Sequence, residues 1–531
     1  MSNTTFKGYN VRDFGASGEG KAYDTEAIKK AVRTCHETGG GTVHFPSGRY
    51  LTAPFEILSG VSLFLDSGSV IVGSTDINDY FVTHTSMESP RIGLIYARDA
   101  RDISISGKGA IDCRGMAFMD AGRPKEGHDL ERKFTRQGDS YMRFNNGVED
   151  GPVEPFDRPG NLIQFMRCTN ITLRDITILD GPNWTVHFDE SEDVVVSGIT
   201  ISNNQLIPNS DGVHFTVCRN VRVSDCHITA GDDCIALTNY GRPGKCTENV
   251  VVTNCILSSC SAGIRIGYGV NDLSNCMFHN LVIQSNRGIG VFQRNEGNIR
   301  DVVFSNIVLH TRLHTGHWWG HGEPVHISTE HNPGAGKIGK ISNIRFSDIT
   351  ARSETGIIVY GCPDSILEDI RFDGIKLHIM PSRLSDTYGG NFDLRPTDRP
   401  ETSLFAHKEY GLYASYARNL NIRDFELAWE GEVAEYFEDG MLCENCEDLS
   451  ISGYAGRQPH AADKGTALTV RDSRHVSITG CKAAEGTGTF LAHSGITEAG
   501  LFTGNDLTRA STPCEPAELP FAVFGNHMHQ K

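Results

Sequence analysis

The chain has 531 residues and a formal net charge of −17. That balance, with no basic run anywhere, argues against a nucleic-acid or anionic-membrane surface as partner and leaves neutral or locally charged ligands. Its 15 cysteines follow no regular framework, and Cys443 and Cys446 form a lone CxxC with no second pair, so neither a disulfide scaffold nor a zinc site is indicated.

Residues 1–7 lack the apolar segment of a secretory signal, and no run reaches the roughly eighteen apolar residues of a membrane span. The expectation is a cytoplasmic protein with no membrane partner. From Tyr9 the chain enters a helical stretch that starts after Asp24, a plausible N-cap, and runs through Ala27, Ile28, Ala31 and Val32 until Gly39-Gly40-Gly41 ends it. Short strands bounded by Pro or Gly follow at 42–45 and 61–65. Residues 1–91 therefore read as a small N-terminal cap containing a helix, which hides the first core layer of a longer stack.

From residue 92 one unit recurs: a short strand, a polar turn, then an Asn- or Asp-led alternating strand, as at Asp102, Asn170, Asp193, Asn220, Asn249, Asp301, Asn343 and Asn419. A spacing of about 22–30 residues without intervening helices predicts an all-β solenoid, a parallel β-helix, over residues 92–509. Cys226 and Cys255 stand where other coils carry isoleucine, which predicts stacked core thiols. Insertions near 114–160 and 380–410 break the rhythm. Such segments serve as lids, substrate-contact loops or subunit contacts, which leaves a homo-oligomer open. Residues 510–531 read as a C-terminal tail or cap.

The centre of the chain is a pair of acidic clusters, Asn209-Ser210-Asp211-Gly212 and Gly231-Asp232-Asp233-Cys234, each leading straight into a strand. If each ends one turn of a repeating coil, Asp211 and Asp233 lie on neighbouring strands, about 4.7–4.9 Å apart. Carboxylates that close cannot both ionise freely, and a mixed pair of one acid and one base is what glycosidic bond cleavage requires. Aligning Val186, Val213, Ile235, Ile264, Val291 and Val325 as inward positions puts His187, His214, Ala236, Arg265, Phe292 and His326 in one outward column. Two residues earlier a second column reads Trp184, Asp211, Asp233, Ala262, Ile289 and Glu323.

With these residues the chain resembles the polygalacturonase family of pectin-cleaving glycoside hydrolases over roughly residues 8–290. The motifs that carry this are Asn10-Val11-Arg12-Asp13-Phe14-Gly15-Ala16, Phe45-Pro46-Ser47-Gly48-Arg49-Tyr50-Leu51, Gly107-Lys108-Gly109-Ala110-Ile111-Asp112, Asn183-Trp184-Thr185-Val186-His187 and both acidic clusters. The resemblance implies a right-handed parallel β-helix, with Asp232 as general acid, Asp211 and Asp233 activating water, and inversion at the anomeric carbon. It implies no organic cofactor, and a metal is not required. The chain also departs from the family. Cys260-Ser261-Ala262-Gly263 stands where the family has Gly-His-Gly, Gly290-Val291-Phe292 where it has Arg-Ile-Lys, and His214 where an acidic residue often follows the motif aspartate.

Replacement is open at several positions. His214 could supply the lost imidazole as a catalytic group or be a solvated surface histidine. Arg265 could bind a carboxylate or a pair of sugar hydroxyls, or form an ion pair between coils. Asn209, Trp184, His187, Arg287 and Arg294 are further substrate-binding candidates around the carboxylates. In His317-Trp318-Trp319-Gly320-His321-Gly322-Glu323-Pro324, Trp318 and Trp319 could stack on sugar rings or pack within the loop, and Glu323 could be a binding carboxylate, the favoured reading, or an additional acid. The leading expectation is a glycosidase acting on short oligosaccharides from the chain end. A β-helix lyase, epimerase or glycosyl-transferring enzyme, and a non-catalytic carbohydrate-binding β-helix, are the alternatives.

Overall fold

The computed structural model describes residues 8–83, 89–125, 151–314, 316, 318–331, 336–384, 408–496, 498, 500–518 and 521–528. Much of both expected insertions lies outside these residues, as does His317. The described chain falls into two compact units that part between Ile264 and Arg265. Both are built from short parallel strands that pair in register, coil upon coil, and the fold is a right-handed parallel β-helix.

In the first unit the helix α1 (Thr25–Glu37) buries Ile28, Ala31, Val32 and Cys35. Asp24 holds the N-cap position without a side-chain bond to the helix; its carboxylate accepts instead from the backbone amides of Ser17 (2.6 Å) and Gly18 (3.1 Å). Three strands then make each coil. Strands 163–166, 186–189 and 213–216 stack in register on one face, and strands 171–174, 194–197 and 221–224 on the next. Alternation sends every second residue inward, so Phe165, Phe188 and Phe215 form a stacked ladder with ring centroids 5.0 and 5.1 Å apart. Cys226 and Cys255 are buried, 3 % and 1 % exposed.

The Asn/Asp signal has a conformational origin. Asp102, Asn170, Asp193, Asn220 and Asn249 all have positive φ, between 55° and 59°, a region in which Asn and Asp are the best tolerated side chains after glycine. Their side chains also bond one another from coil to coil, Asn170 Nδ2 to Asp102 Oδ1 at 2.7 Å and Asn220 Nδ2 to Asp193 Oδ1 at 3.0 Å. Each corner of the coil is thus fixed twice, by backbone tolerance and by a side-chain ladder.

The second unit repeats the scheme with longer strands. Phe278, Phe304, Phe346 and Phe372 stack at 5.0, 4.9 and 4.9 Å along its core. Parallel pairing carries on past residue 506, where the repeat signal fades, through Ala510–Glu515 and Phe521–Phe524.

Candidate active site

In the first unit, strands β1 (Val186–Asp189), β2 (Val213–Thr216) and β3 (Ile235–Asn239) lie side by side. Val186, Val213 and Ile235 are in register, as are His187, His214 and Ala236. The backbone bonds continue upstream, from Thr185 N to Asp211 O (2.9 Å) and from Gly212 N to Asp233 O (2.8 Å), so Trp184, Asp211 and Asp233 lead into consecutive strands as the sequence alignment placed them. Asp211, Asp232 and Asp233 are 2 %, 5 % and 2 % exposed.

The turns that present these carboxylates are tied to one another. Ser210 Oγ donates to Ile207 O (2.7 Å) and accepts from Gly231 N (3.0 Å). Asn203 Nδ2 donates to Thr185 Oγ1 (2.7 Å) and Ser210 O (3.0 Å). Asp232 Oδ1 accepts from Asp233 N (3.0 Å), while Asp232 O takes a bond from Ser259 Oγ (2.5 Å). Both cluster glycines leave no room for a side chain. A Cβ on Gly212 would meet Cys234 O at 2.4 Å, and one on Gly231 would meet Ile207 O at 2.3 Å. Since backbone carbonyls in a ladder cannot yield, Gly212→Ala is expected to destabilise the protein by about 1–3 kcal/mol, read as a lowered urea midpoint.

His214 is not a solvated histidine. It is fully buried, its Nδ1 lies 2.8 Å from Asp211 Oδ2, and its Nε2 lies 3.1 Å from Thr238 Oγ1. Trp184 stacks on it, ring centroids 3.6 Å apart and planes 17° off parallel. His187 meets Asn161 Nδ2 through Nδ1 (2.8 Å) and Thr216 Oγ1 through Nε2 (2.9 Å). Burial pushes its pKa down to about 3, so it is neutral.

Arg158 had no sequence signal. Its Nη1 donates to the carbonyls of Pro182 (2.9 Å) and Pro208 (2.6 Å), and its Nη2 to Asn209 Oδ1 (3.0 Å), which pins the half-buried Asn209 and the approach to Asp211. The partners are mostly backbone atoms, which leave no mark in a sequence.

Strand β4 (Ala262–Gly269) contains the point at which the units part; in the second unit, β5 (Arg287–Gln293) pairs with β6 (Val325–Thr329). The register here corrects the alignment. Ile289, not Val291, is opposite Val325, and Gly290, not Phe292, is opposite His326. The shift brings Arg287 to Glu323: Nε lies 2.5 Å from Oε1, and both residues are 0 % exposed. His321 adds its backbone amide (2.7 Å) and Nδ1 (3.0 Å) to Glu323 Oε2, and His326 Nδ1 is 3.4 Å from Oε1. The expected substrate contact through Arg287 and Glu323 is thus replaced by an internal ion pair.

Trp318 is likewise enclosed, 1 % exposed, so it packs within its loop instead of offering a stacking face; Trp319 is half-buried. Arg294 donates from Nη1 to the carbonyls of Gln293 (3.0 Å) and Ser328 (2.9 Å) and from Nη2 to Ser328 Oγ (2.9 Å). Arg265 keeps partial exposure, with its guanidinium 5.7 Å from the Tyr268 ring centroid. Among the described residues, no group of three or more His, Cys, Asp or Glu is placed to hold a metal ion.

The model of glycosyl hydrolases family 28 matches residues 58–387. A probable polygalacturonase from Vitis vinifera is 25 % identical over 417 residues, covering 72 % of this chain and 78 % of its own length. Two solved structures share the fold. The exopolygalacturonase from Thermotoga maritima superposes with a TM-score of 0.61 at 20 % identity, over 80 % of this chain and 92 % of its own. The family 28 exopolygalacturonase from Yersinia enterocolitica gives 0.57 at 17 %, over 81 % and 77 %.

Proposed function

The chain belongs to family 28 of the glycosyl hydrolases and is a glycosidase, and from that premise we propose that it removes single sugars, with inversion, from the ends of short pectin-derived oligosaccharides. The observation that carries this is the in-register placement of Asp211 and Asp233 on consecutive coils, with Asp232 beside them in the same pair of interlocked turns. Asp232 gives its proton to the glycosidic oxygen as the C–O bond breaks. Asp211 and Asp233 take a proton from the water that attacks the anomeric carbon from the opposite side. Neither role requires a cofactor.

Exo action draws support from the second unit by itself. The outward column there reads His326, Ile358, Tyr413 and Leu442, exposed by only 0 %, 7 %, 5 % and 2 %. Tyr410 lies over Tyr413, ring centroids 5.6 Å apart, and both hydroxyls are tied down, to Glu438 (3.1 Å) and Glu444 (2.7 Å). A sheet face filled with packed side chains offers no track for a polymer. Departure from the Arg-Ile-Lys pattern argues that the sugar bound need not be galacturonate.

The test is time-resolved proton NMR on a panel of oligogalacturonides and neutral oligosaccharides. An α-linked substrate should yield the β-anomer of a monosaccharide first. The α-anomer first would overturn inversion, a ladder of oligomers at early times would overturn exo action, and an unsaturated ultraviolet-absorbing product would mean elimination.

A further inference from the structure

Five side chains, beginning with Asn161, lead to Asp211 through an unbroken file of hydrogen bonds that the hydrolytic scheme does not use. Asn161 Nδ2 meets His187 Nδ1 at 2.8 Å, His187 Nε2 meets Thr216 Oγ1 at 2.9 Å, and Thr216 Oγ1 meets Thr238 Oγ1 at 2.9 Å. Thr238 Oγ1 then meets His214 Nε2 at 3.1 Å, and His214 Nδ1 meets Asp211 Oδ2 at 2.8 Å. The five residues and Asp211 are all between 0 % and 6 % exposed.

The direction of the file follows from its first member. An amide nitrogen only donates, so His187 Nδ1 accepts and the proton of this neutral ring sits on Nε2. Nε2–H donates to Thr216, whose hydroxyl donates to Thr238, whose hydroxyl donates to His214 Nε2. With Nε2 occupied as an acceptor, the proton of His214 is on Nδ1, pointed at the Asp211 carboxylate. The Thr238 hydroxyl also has the Phe215 carbonyl within 3.5 Å as an acceptor, and the shorter contact with His214 Nε2, at 3.1 Å, is the one that keeps the file continuous. The ring itself cannot turn, because Trp184 lies flat on it at 3.6 Å and His187 stands edge-on at 5.6 Å.

We propose that His214 is a positioning residue for Asp211: the file from Asn161 through His187, Thr216 and Thr238 holds its imidazole in the Nδ1–H form, so that it donates to Asp211 Oδ2 and fixes the orientation of that carboxylate. The assignment rests on the reading of Asp211 as a base. It differs from a histidine that touches substrate, because the ring is enclosed and both nitrogens are engaged. It also makes a hydroxyl two bonds away from the carboxylate matter to turnover.

The experiment uses the full chain labelled with 15N-histidine, with the His214 signal identified by its loss in His214→Asn. The expected spectrum shows Nδ1 protonated and Nε2 bare at neutral pH, and in Thr238→Val the Nε2–H form gains population. On trigalacturonate, or the neutral trisaccharide that the panel selects, His214→Leu should lower kcat by about 100-fold with KM within about threefold. His214→Asn, whose amide takes the place of Nδ1–H, should recover about tenfold of that loss. Thr238→Val, and Thr216→Val one link further on, should each lower kcat by about tenfold with KM unchanged. A wild-type Nε2–H tautomer, or folded Thr238→Val and Thr216→Val proteins with unaltered kcat, would overturn the assignment. The tautomer is read without turnover, so this failure is separate from that of the glycosidase scheme, which undiminished turnover in Asp232→Asn would overturn by itself.

Discussion

Asp232→Asn is expected to lower kcat on an unactivated oligosaccharide by about 10³-fold while leaving the affinity within about threefold, because a general acid typically contributes 10²–10⁴-fold. Two of the bonds at this residue survive the substitution. An asparagine Oδ1 can still accept from Asp233 N, as the aspartate does at 3.0 Å, and the bond from Ser259 Oγ goes to the backbone carbonyl, which is unchanged. What is lost is a transferable proton. The loss should therefore depend on the leaving group: an aryl glycoside whose phenolate departs without protonation should be hydrolysed by the variant at a rate much nearer to that of the parent. Isothermal titration of the variant with the oligosaccharide, alongside initial rates on both substrates, checks this. Equal losses on the two substrates would remove Asp232 from the acid role, and undiminished turnover would place the acid elsewhere.

The parts of the fold legible in the sequence are those in which a local requirement repeats. Asn170, Asp193, Asn220 and Asn249 mark a corner that needs positive φ in every coil, and that requirement selects the same few residues each time. The columns through Val186, Val213 and Ile235 follow directly, since the turns between them are short and one core position precedes each. The Thr216 and Thr238 links of the hydrogen-bond file stand two places after His214 and Ala236 in that same alignment, and extending it would have exposed them. The register beyond Phe292 was a different problem. A one-residue slip turns core residues outward and is detectable, but a two-residue slip preserves inside and outside, so Val291 serves the hydrophobic pattern as well as Ile289. Only the pairing of Ile289 with Val325 separates them, and with it the partnership of Arg287 and Glu323. Arg158 was illegible for another reason, as its main partners are the carbonyls of Pro182 and Pro208.

Arg287→Met should cost about 3–5 kcal/mol of stability at pH 8, the penalty of leaving one member of a buried ion pair behind. Burial alone would push the Glu323 pKa up; the charges of Arg287 and His321 beside it, and hydrogen bonds from His321 and His326, reverse this and hold it well below the usual carboxylate range. A folded-state pKa below the unfolded one contributes stability that is present above the unfolded value of about 4.5 and is lost only as pH falls beneath it. Without Arg287 burial prevails, and the Glu323 pKa rises above its unfolded value. The variant then regains stability on acidification from pH 8 toward 5, as the enclosed carboxyl takes up a proton that the unfolded chain does not. His326 acts in the opposite sense in both proteins. Burial lowers its pKa from 6.5 to about 4, so acidification through that interval removes up to about 1.4 kcal/mol per pH unit. Arg287 is one of the charges that hold the His326 pKa down, so this loss is smaller in Arg287→Met than in the parent and narrows the gap in the same direction. Urea unfolding at pH 8 and pH 5.5 should therefore show a gap between parent and Arg287→Met that narrows at the lower pH. Arg287→Met combined with Glu323→Leu should recover at least half of it, since a pair replaced together leaves no stranded charge. A gap that stays constant with pH would mean that Arg287 contributes by packing against Phe292, 4.8 Å from its guanidinium, and not by neutralising Glu323.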